Sequence, residues 1–199
     1  MIKNIIFDIG KVLVEFFPLE VLNTKYDKET ANKLYNAIFK SKYWDMLDNG
    51  DISYKEVVEL MAKESPKLKE LIYITFNEWT NMLKPKYDNI KLLEILRNKG
   101  YKIYLLSNFH NEAYKVICSL YPEITKVDGQ VISCYEHTMK PDNLIFEILL
   151  NRYSLNNEEC LFIDDTKVNI DTAISINISC IHYLDNTNLT LELNRIGVL

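Results

Sequence analysis

Short apolar runs that stop at polar residues recur along this chain, separated by stretches with helical spacing. Ile5-Ile6-Phe7 is the first such run. It fits a parallel strand covered on both faces, which reads as continuously apolar rather than alternating. It ends at Asp8, and Gly10 breaks it. Val12-Leu13-Val14 continues as a short extended piece that stops before Pro18. From about residue 18 to residue 84 the pattern is helical. Between Asp27 or Lys28 and about Lys40, the residues Ala31, Leu34, Tyr35, Ile38 and Phe39 share one helical face. Ser53 and Glu56 read as a capping box, with Val57, Val58, Leu60 and Met61 as the buried side behind it. After Pro66 the period continues through Leu68, Leu71, Ile72, Thr75, Phe76 and Trp79, and Trp44 falls in a short segment between helices.

The rest alternates. Asp88 is expected to cap a helix through Leu92, Leu93, Ile95 and Leu96 that Gly100 ends. Lys102 to Leu106 reads as a strand ending at Ser107-Asn108, followed by a helix around Glu112 to Leu120. Val131-Ile132-Ser133 is a short strand, and Pro141 opens a helix carrying Leu144, Ile145, Ile148 and Leu149. Leu161-Phe162-Ile163 is a strand ending in Asp164-Asp165. A helix from Val168 to Ile176 and a strand from Ser179 to Tyr183 follow. The alternation predicts an α/β fold: a doubly wound, Rossmann-like parallel sheet with a helical bundle inserted. Residues 1–16 and 86–199 are expected to form the α/β core, and residues 17–85 the helical subdomain.

Composition narrows the class of protein. A chain of 199 residues suits one α/β domain with an insert, and it can bury a core without disulfides. The formal charge of −5 gives no field to attract nucleic acid or an anionic membrane, so neither is an expected partner. Cys118, Cys134, Cys160 and Cys180 form no C-x-x-C pair; Cys134, Cys160 and Cys180 lie in or beside apolar runs and are expected to be small buried residues in a reducing compartment. Met1-Ile2-Lys3-Asn4 runs straight into a strand with no signal-peptide pattern, and no apolar stretch approaches a membrane span. A cytoplasmic location is the expectation, as a monomer or homodimer.

Chemistry gathers at the strand ends. Ligands of doubly wound sheets bind beyond the carboxyl ends of the strands, where Asp8, Ser107-Asn108 and Asp164-Asp165 all fall. Singly, each has a plainer reading as a helix or turn cap, and Lys140 as a surface residue before Pro141. Together, acids converging on one sheet edge repel unless neutralised. A pair of carboxylates suits a hard cation such as Mg²⁺, which takes one or two of them plus phosphate oxygens. A serine hydroxyl, backbone N–H groups and a lysine ammonium suit the remaining phosphate oxygens.

The same residues carry a family resemblance. Phe7-Asp8-Ile9-Gly10-Lys11-Val12, Leu105-Leu106-Ser107-Asn108, Met139-Lys140-Pro141 and Phe162-Ile163-Asp164-Asp165-Thr166-Lys167-Val168-Asn169 follow, in order, the motifs of the haloacid dehalogenase-like (HAD) hydrolase superfamily. The helical insert resembles that family's C1-type cap. Phe7-Asp8-Ile9-Gly10, Tyr121-Pro122-Glu123-Ile124 and Lys140-Pro141 resemble the bacterial α-D-glucose-1-phosphate phosphatase group. The resemblance implies a Mg²⁺-dependent phosphatase acting on a small phosphorylated metabolite, a sugar phosphate in particular. Asp8 would be the nucleophile that becomes an aspartyl phosphate. The metal would take Asp8, the Gly10 backbone carbonyl and Asp165, with Asp164 binding directly or supporting from behind. Ser107, the Asn108 backbone N–H and Lys140 would hold phosphate oxygens, and Lys140 would keep Asp8 ionised. Loss of Lys140 or Asp165 should cost at least the ~10²–10³ in rate typical of one electrostatic stabiliser.

Gly10 departs from the family pattern. The usual second Asp there protonates the leaving oxygen, a role worth ~10²–10⁴. Glu15 and His110 are the replacement acids nearest in sequence, against plainer readings as a solvent or cap contact and a helix-start residue. Trp44 and Trp79 are expected to pack the cap core, while Phe16, Phe17 and Tyr43 are candidates to line its pocket side. His137 and His182 read as structural. Two other functions compete: a non-catalytic binding or regulatory relative that lost turnover through Gly10, and a metal-free 2-haloacid dehalogenase. The acid pair weighs against the dehalogenase. Cap hinges are expected near residues 15–18 and 83–86.

Overall fold

The computed structural model describes residues 1–199. Strand β1 (Asn4–Phe7) and β2 (Val14–Phe16) precede five helices, α1 (Pro18–Lys25), α2 (Lys28–Phe39), α3 (Lys42–Asp48), α4 (Tyr54–Glu64) and α5 (Lys69–Glu78). β3 (Leu83–Pro85), α6 (Tyr87–Asn98), β4 (Lys102–Ser107), α7 (Asn111–Leu120), β5 (Gly129–Ile132) and the single turn α8 (Ser133–Glu136) follow. The chain closes through α9 (Asn143–Arg152), β6 (Cys160–Asp164), α10 (Lys167–Ser175), β7 (Ser179–His182) and α11 (Leu189–Arg195).

Five of the strands form a parallel sheet in the order β5-β4-β1-β6-β7. The apolar run of β1 explains its central place: it is covered by helices on both faces and by strands on both edges. Ile5 and Phe7 face one layer, with Leu92, Leu93 and Leu96 of α6 and Leu189 and Leu193 of α11. Ile6 faces the other, with Ile145, Phe146 and Leu149 of α9 and Ile170 and Ala173 of α10. The chain runs outward from β1 through β4 to β5, then crosses to the other side for β6 and β7. The order thus reverses beside β1, the position where such sheets bind ligands. The predicted α/β, doubly wound parallel architecture is what the structure contains.

The helical segment has an apolar cluster of its own, centred on Leu22, Leu34, Ile38, Val57, Met61, Ile72 and Phe76. Asp27 caps α2 by accepting from the Glu29 and Thr30 N–H groups, and the Ser53–Glu56 capping box is present. The two ends of the segment meet where β2 pairs antiparallel with β3, Glu15 opposite Lys84. Several local expectations differ. Trp44 lies within α3, a helix too short to show a period in sequence. Leu83–Pro85 is a strand rather than helix end, held by that pairing. Asp88 is not the cap of α6, which starts at Tyr87 behind Lys86. That start is pinned instead by the buried Asn89 amide, which donates to the Val12 carbonyl at 2.7 Å. All four cysteines are free thiols, Cys134 and Cys160 buried and the other two half-buried. No helix is long and apolar enough to cross a membrane.

A second joint links the helical segment to the sheet layers at α3 and α8. The Ser133 hydroxyl donates to the Asp48 carbonyl. Gly50, at φ +79°, lies so close to α8 that a Cβ there would stand 2.3 Å from the Cys134 carbonyl oxygen. Both the backbone conformation and the contact demand glycine. Gly50→Ala is therefore expected to lower stability by about 1–3 kcal/mol, read as a fall in the urea midpoint.

Candidate active site

Asp8 leaves the carboxyl end of β1 and is 6% exposed. Its Oδ1 accepts from the Ile9 N–H at 2.8 Å and the Ser107 hydroxyl at 2.5 Å, and faces the Lys140 ammonium at 3.0 Å. Burial pushes Asp8 up to about 6, against the pull of Lys140, with Asp164 adding to the rise and the Ser107 bond opposing it. Lys140 reaches in from the loop before α9. Its Nζ also donates to Asp164 Oδ2 at 2.6 Å and to the Leu106 carbonyl at 2.9 Å. Burial favours the neutral amine, but Asp8 and Asp164 outweigh it and the pKa is raised. The Asn108 side chain fixes the lysine backbone, donating to the Lys140 carbonyl and accepting from its N–H, both at 2.8 Å.

Asp164 is fully buried at the end of β6. Its Oδ1 accepts from the Thr166 N–H at 2.7 Å, and both its oxygens lie 3.1 Å from the Asn169 amide nitrogen. Asp165 is more open, and its Oδ2 meets Lys11 Nζ at 3.0 Å. Oxygen atoms of Asp8, Asp164 and Asp165 lie within 4.8 Å of one another. The Gly10 carbonyl accepts from the Val12 N–H at 2.7 Å, leaving its second lone pair. An all-oxygen set of this kind fits a hard cation such as Mg²⁺ and not a thiophilic one. Three carboxylates against Lys140 and Lys11 leave one net negative charge, which a divalent cation would turn positive before a phosphate dianion.

A cavity of about 190 Å³ opens over this cluster. Asp8, Gly10, Asn108 and Asp165 form part of its floor, and Phe16, Trp44, Trp79, Leu83, Phe109 and Ala113 supply an apolar wall. Trp44 and Trp79 pack in the helical cluster and also line this space. Phe16 lines it too, whereas Tyr43 is buried in the helical cluster. Glu15 is not at the cavity; its carboxylate is tied to Lys86 at 2.7 Å. His110 is, but as the N-cap of α7: Nδ1 accepts from the Ala113 N–H at 3.2 Å. Its ring sits among Trp44, Tyr54 and Trp79. Burial pushes it down to about 4, Glu112 opposing, so it is neutral at pH 7. His182 Nε2 meets the Asp165 carbonyl at 2.9 Å.

Two charged cavity residues were given no role in the sequence reading, Lys11 and Asp48. Lys11 sits at φ +56°, a turn conformation that aims it at Asp165. Asp48 is the last residue of α3. Burial pushes its carboxyl up to about 8; Asp45 adds to this, while the His110 backbone N–H and Trp44 oppose it. An acid in the last turn of a helix opposes the helix dipole, and that was the one signal available for Asp48.

Fold and site together define a doubly wound α/β protein with a carboxylate-rich centre at the sheet's switch point. A model of the haloacid dehalogenase-like hydrolases matches residues 2–177, and the chain belongs to that family. The sesquiterpene phosphatase astK of Aspergillus oryzae is 24% identical over 194 residues, which cover 98% of this chain and 96% of the relative. A HAD family enzyme of Bacteroides thetaiotaomicron, solved in complex with magnesium and inorganic phosphate, superposes with a TM-score of 0.76 at 20% identity. The match covers 96% of this chain and 99% of that one. L-2-haloacid dehalogenase of Xanthobacter autotrophicus superposes with a TM-score of 0.66 at 16% identity, over 100% and 85% of the two chains.

Removing one member of the buried charge cluster leaves the others unpaired. Lys140→Met is expected to destabilise the fold by about 3–5 kcal/mol, measured by urea unfolding at pH 7. Asp48 has a folded pKa raised to about 8, so its contribution to stability is full below about pH 4 and is lost as pH rises through 8. The melting temperature of Asp48→Asn should therefore fall less between pH 5 and pH 8 than that of the parent.

Proposed function

We propose that this chain is a Mg²⁺-dependent phosphatase that cleaves a small phosphomonoester through an aspartyl phosphate on Asp8. The observation that carries this reading is the environment of Asp8. Oδ1 is saturated by Ile9, Ser107 and Lys140, which leaves Oδ2 as the atom free to attack phosphorus. Lys140 offsets negative charge as the phosphoryl group arrives, and the Asn108 clamp keeps the lysine's backbone in place. Ser107 orients the nucleophile, and with the Asn108 N–H it faces phosphate oxygens. Asp165, the Gly10 carbonyl and Asp8, with Oδ1 exchanging one of its present donors for the ion, would hold Mg²⁺, which when bound supplies positive charge to the phosphoryl oxygens. Asp164, with its oxygens engaged by Lys140, Thr166 and Asn169, supports the site from behind.

Residues 17–85 are proposed as a cap of the C1 type, set on the β2–β3 pair, that closes over the substrate. A cavity of about 190 Å³, below the ~300–1,000 Å³ of common ligand sites, suits a small metabolite. An anomeric sugar phosphate, as in the glucose-1-phosphate phosphatase group, asks least of a site with glycine at position 10. A second class is favoured by the wall of Phe16, Trp44, Trp79, Leu83 and Phe109. A prenyl phosphate would bury its chain there, in keeping with the sesquiterpene phosphatase relative, but its length requires the helical segment to lift.

Phosphate release from a panel of sugar, alkyl and prenyl phosphates, with Mg²⁺ and with EDTA, tests the proposal. Metal-dependent release is expected, and Asp8→Asn should lower it by at least ~10³, the scale of losing a covalent nucleophile. No release from any phosphomonoester while Mg²⁺ binds, seen by calorimetry, points instead to a binding protein. Halide release from a 2-haloacid without metal points to a dehalogenase.

A further inference from the structure

A phosphoryl transfer to Asp8 frees an oxygen that needs a proton, and Gly10 has none to give. We propose that Asp48, carried into the cavity by the end of α3, is the catalytic acid that protonates the leaving oxygen. The inference rests on the phosphatase reading.

Asp48 and Asp8 line one small cavity, whose ionisable residues are Asp8, Lys11, Asp48, His110 and Asp165. Four of these have other engagements. Asp8 is the nucleophile. Asp165 and Lys11 are paired with each other at 3.0 Å. His110 is neutral, with Nδ1 already taken by the Ala113 N–H. Asp48 remains. The groups packed near it are Asp45 on its own helix, His110 and Glu112 at the start of α7, and Cys134 on α8. None is a cation at neutral pH, so burial outweighs the opposing bonds from the His110 N–H and Trp44 and keeps Asp48 a neutral acid at pH 7. Trp44, Trp79 and Phe109 line the same cavity as an apolar wall. The backbone at Asp48 is fastened to α8 by the Ser133 hydroxyl and by the close packing of Gly50. The acid therefore sits at a joint between the helical segment and the core.

The chemistry balances. As the Asp8 Oδ2–P bond forms, the bond from phosphorus to the leaving oxygen breaks and its electron pair stays on that oxygen. The Asp48 proton follows, and an alcohol departs. Water then attacks the aspartyl phosphate and gives a proton to the Asp48 carboxylate. The P–O bond to Asp8 breaks, its electron pair returns to Asp8, and inorganic phosphate leaves with Asp48 protonated again.

The test compares kcat/KM for 4-nitrophenyl phosphate, whose leaving group needs no proton, with that for a simple alkyl phosphate, at saturating Mg²⁺. Asp48→Asn should lower the alkyl value by about 10²-fold or more, and by at least ten times more than it lowers the nitrophenyl value. The parent's alkyl profile should fall above pH 8, a limb that is absent with the nitrophenyl ester; this reads the acid without any variant. Glu15→Gln, altering a group tied to Lys86 away from the cavity, should spare both substrates. Equal losses on the two esters, no loss on the alkyl ester, or matching alkaline limbs would overturn Asp48 as the acid. A parent protein that hydrolyses neither ester overturns the phosphatase reading, and the role of Asp48 with it.

Discussion

The Lys140 ammonium, 4% exposed, is the charge around which this molecule is arranged. Burying such an ion costs several kcal/mol unless it is paired and fully hydrogen-bonded. Its three N–H donors meet three acceptors: Asp8, Asp164 and the Leu106 carbonyl. Those acceptors come from β1, β6 and β4, the three central strands of the sheet. One cation thus ties the carboxyl ends of adjacent strands together, at the point where parallel strands would otherwise present only acids. The sheet needs the lysine for charge balance, and the lysine needs the sheet for its acceptors. Asn108 closes the loop by holding the lysine's own backbone.

That arrangement leaves a specific asymmetry in Asp8. One oxygen is spent on structure and the other has no such partner, so the residue is both a buried structural partner and a carboxylate that lines the cavity. The apolar wall above it extends the same logic. Aromatic side chains line the space beside Asp8 and Asp165, where the one lysine of the lining is Lys11. The site thus sets a charged floor against an apolar wall within one cavity.

Much of this was legible in the sequence, because the pattern and the chemistry agree. Continuous apolar runs such as Ile5-Ile6-Phe7 and Leu161-Phe162-Ile163 mark parallel strands, and a parallel sheet brings its strand ends to one edge. Asp8, Ser107, Asn108, Asp164 and Asp165 could therefore be gathered before any coordinates existed. What escaped depends on tertiary placement. Leu83–Pro85 is a strand only because β2 lies beside it. The helix at Leu189–Arg195 follows a polar stretch with no marked period. Asp48 carries no local signal beyond its unfavourable helix end, since burial by the aromatic residues around it is what raises its pKa.

The glycine at position 10 gains a different meaning in this setting. Neither packing nor backbone conformation demands it: a Cβ would meet only the Phe109 ring, at 3.7 Å, and φ is not positive. A side chain fits there, so what its absence changes is charge. A carboxylate at that position would be a fourth acid beside Asp8, Asp164 and Asp165, facing two lysines already committed to the other three. Like charges that close raise each other's pKa and weaken the cluster. An acid held neutral by burial on the helical segment adds a proton to the cavity without adding charge to the nucleophile's surroundings. Placing the proton on Asp48 and leaving position 10 bare are, in electrostatic terms, one solution to the same constraint that buries Lys140.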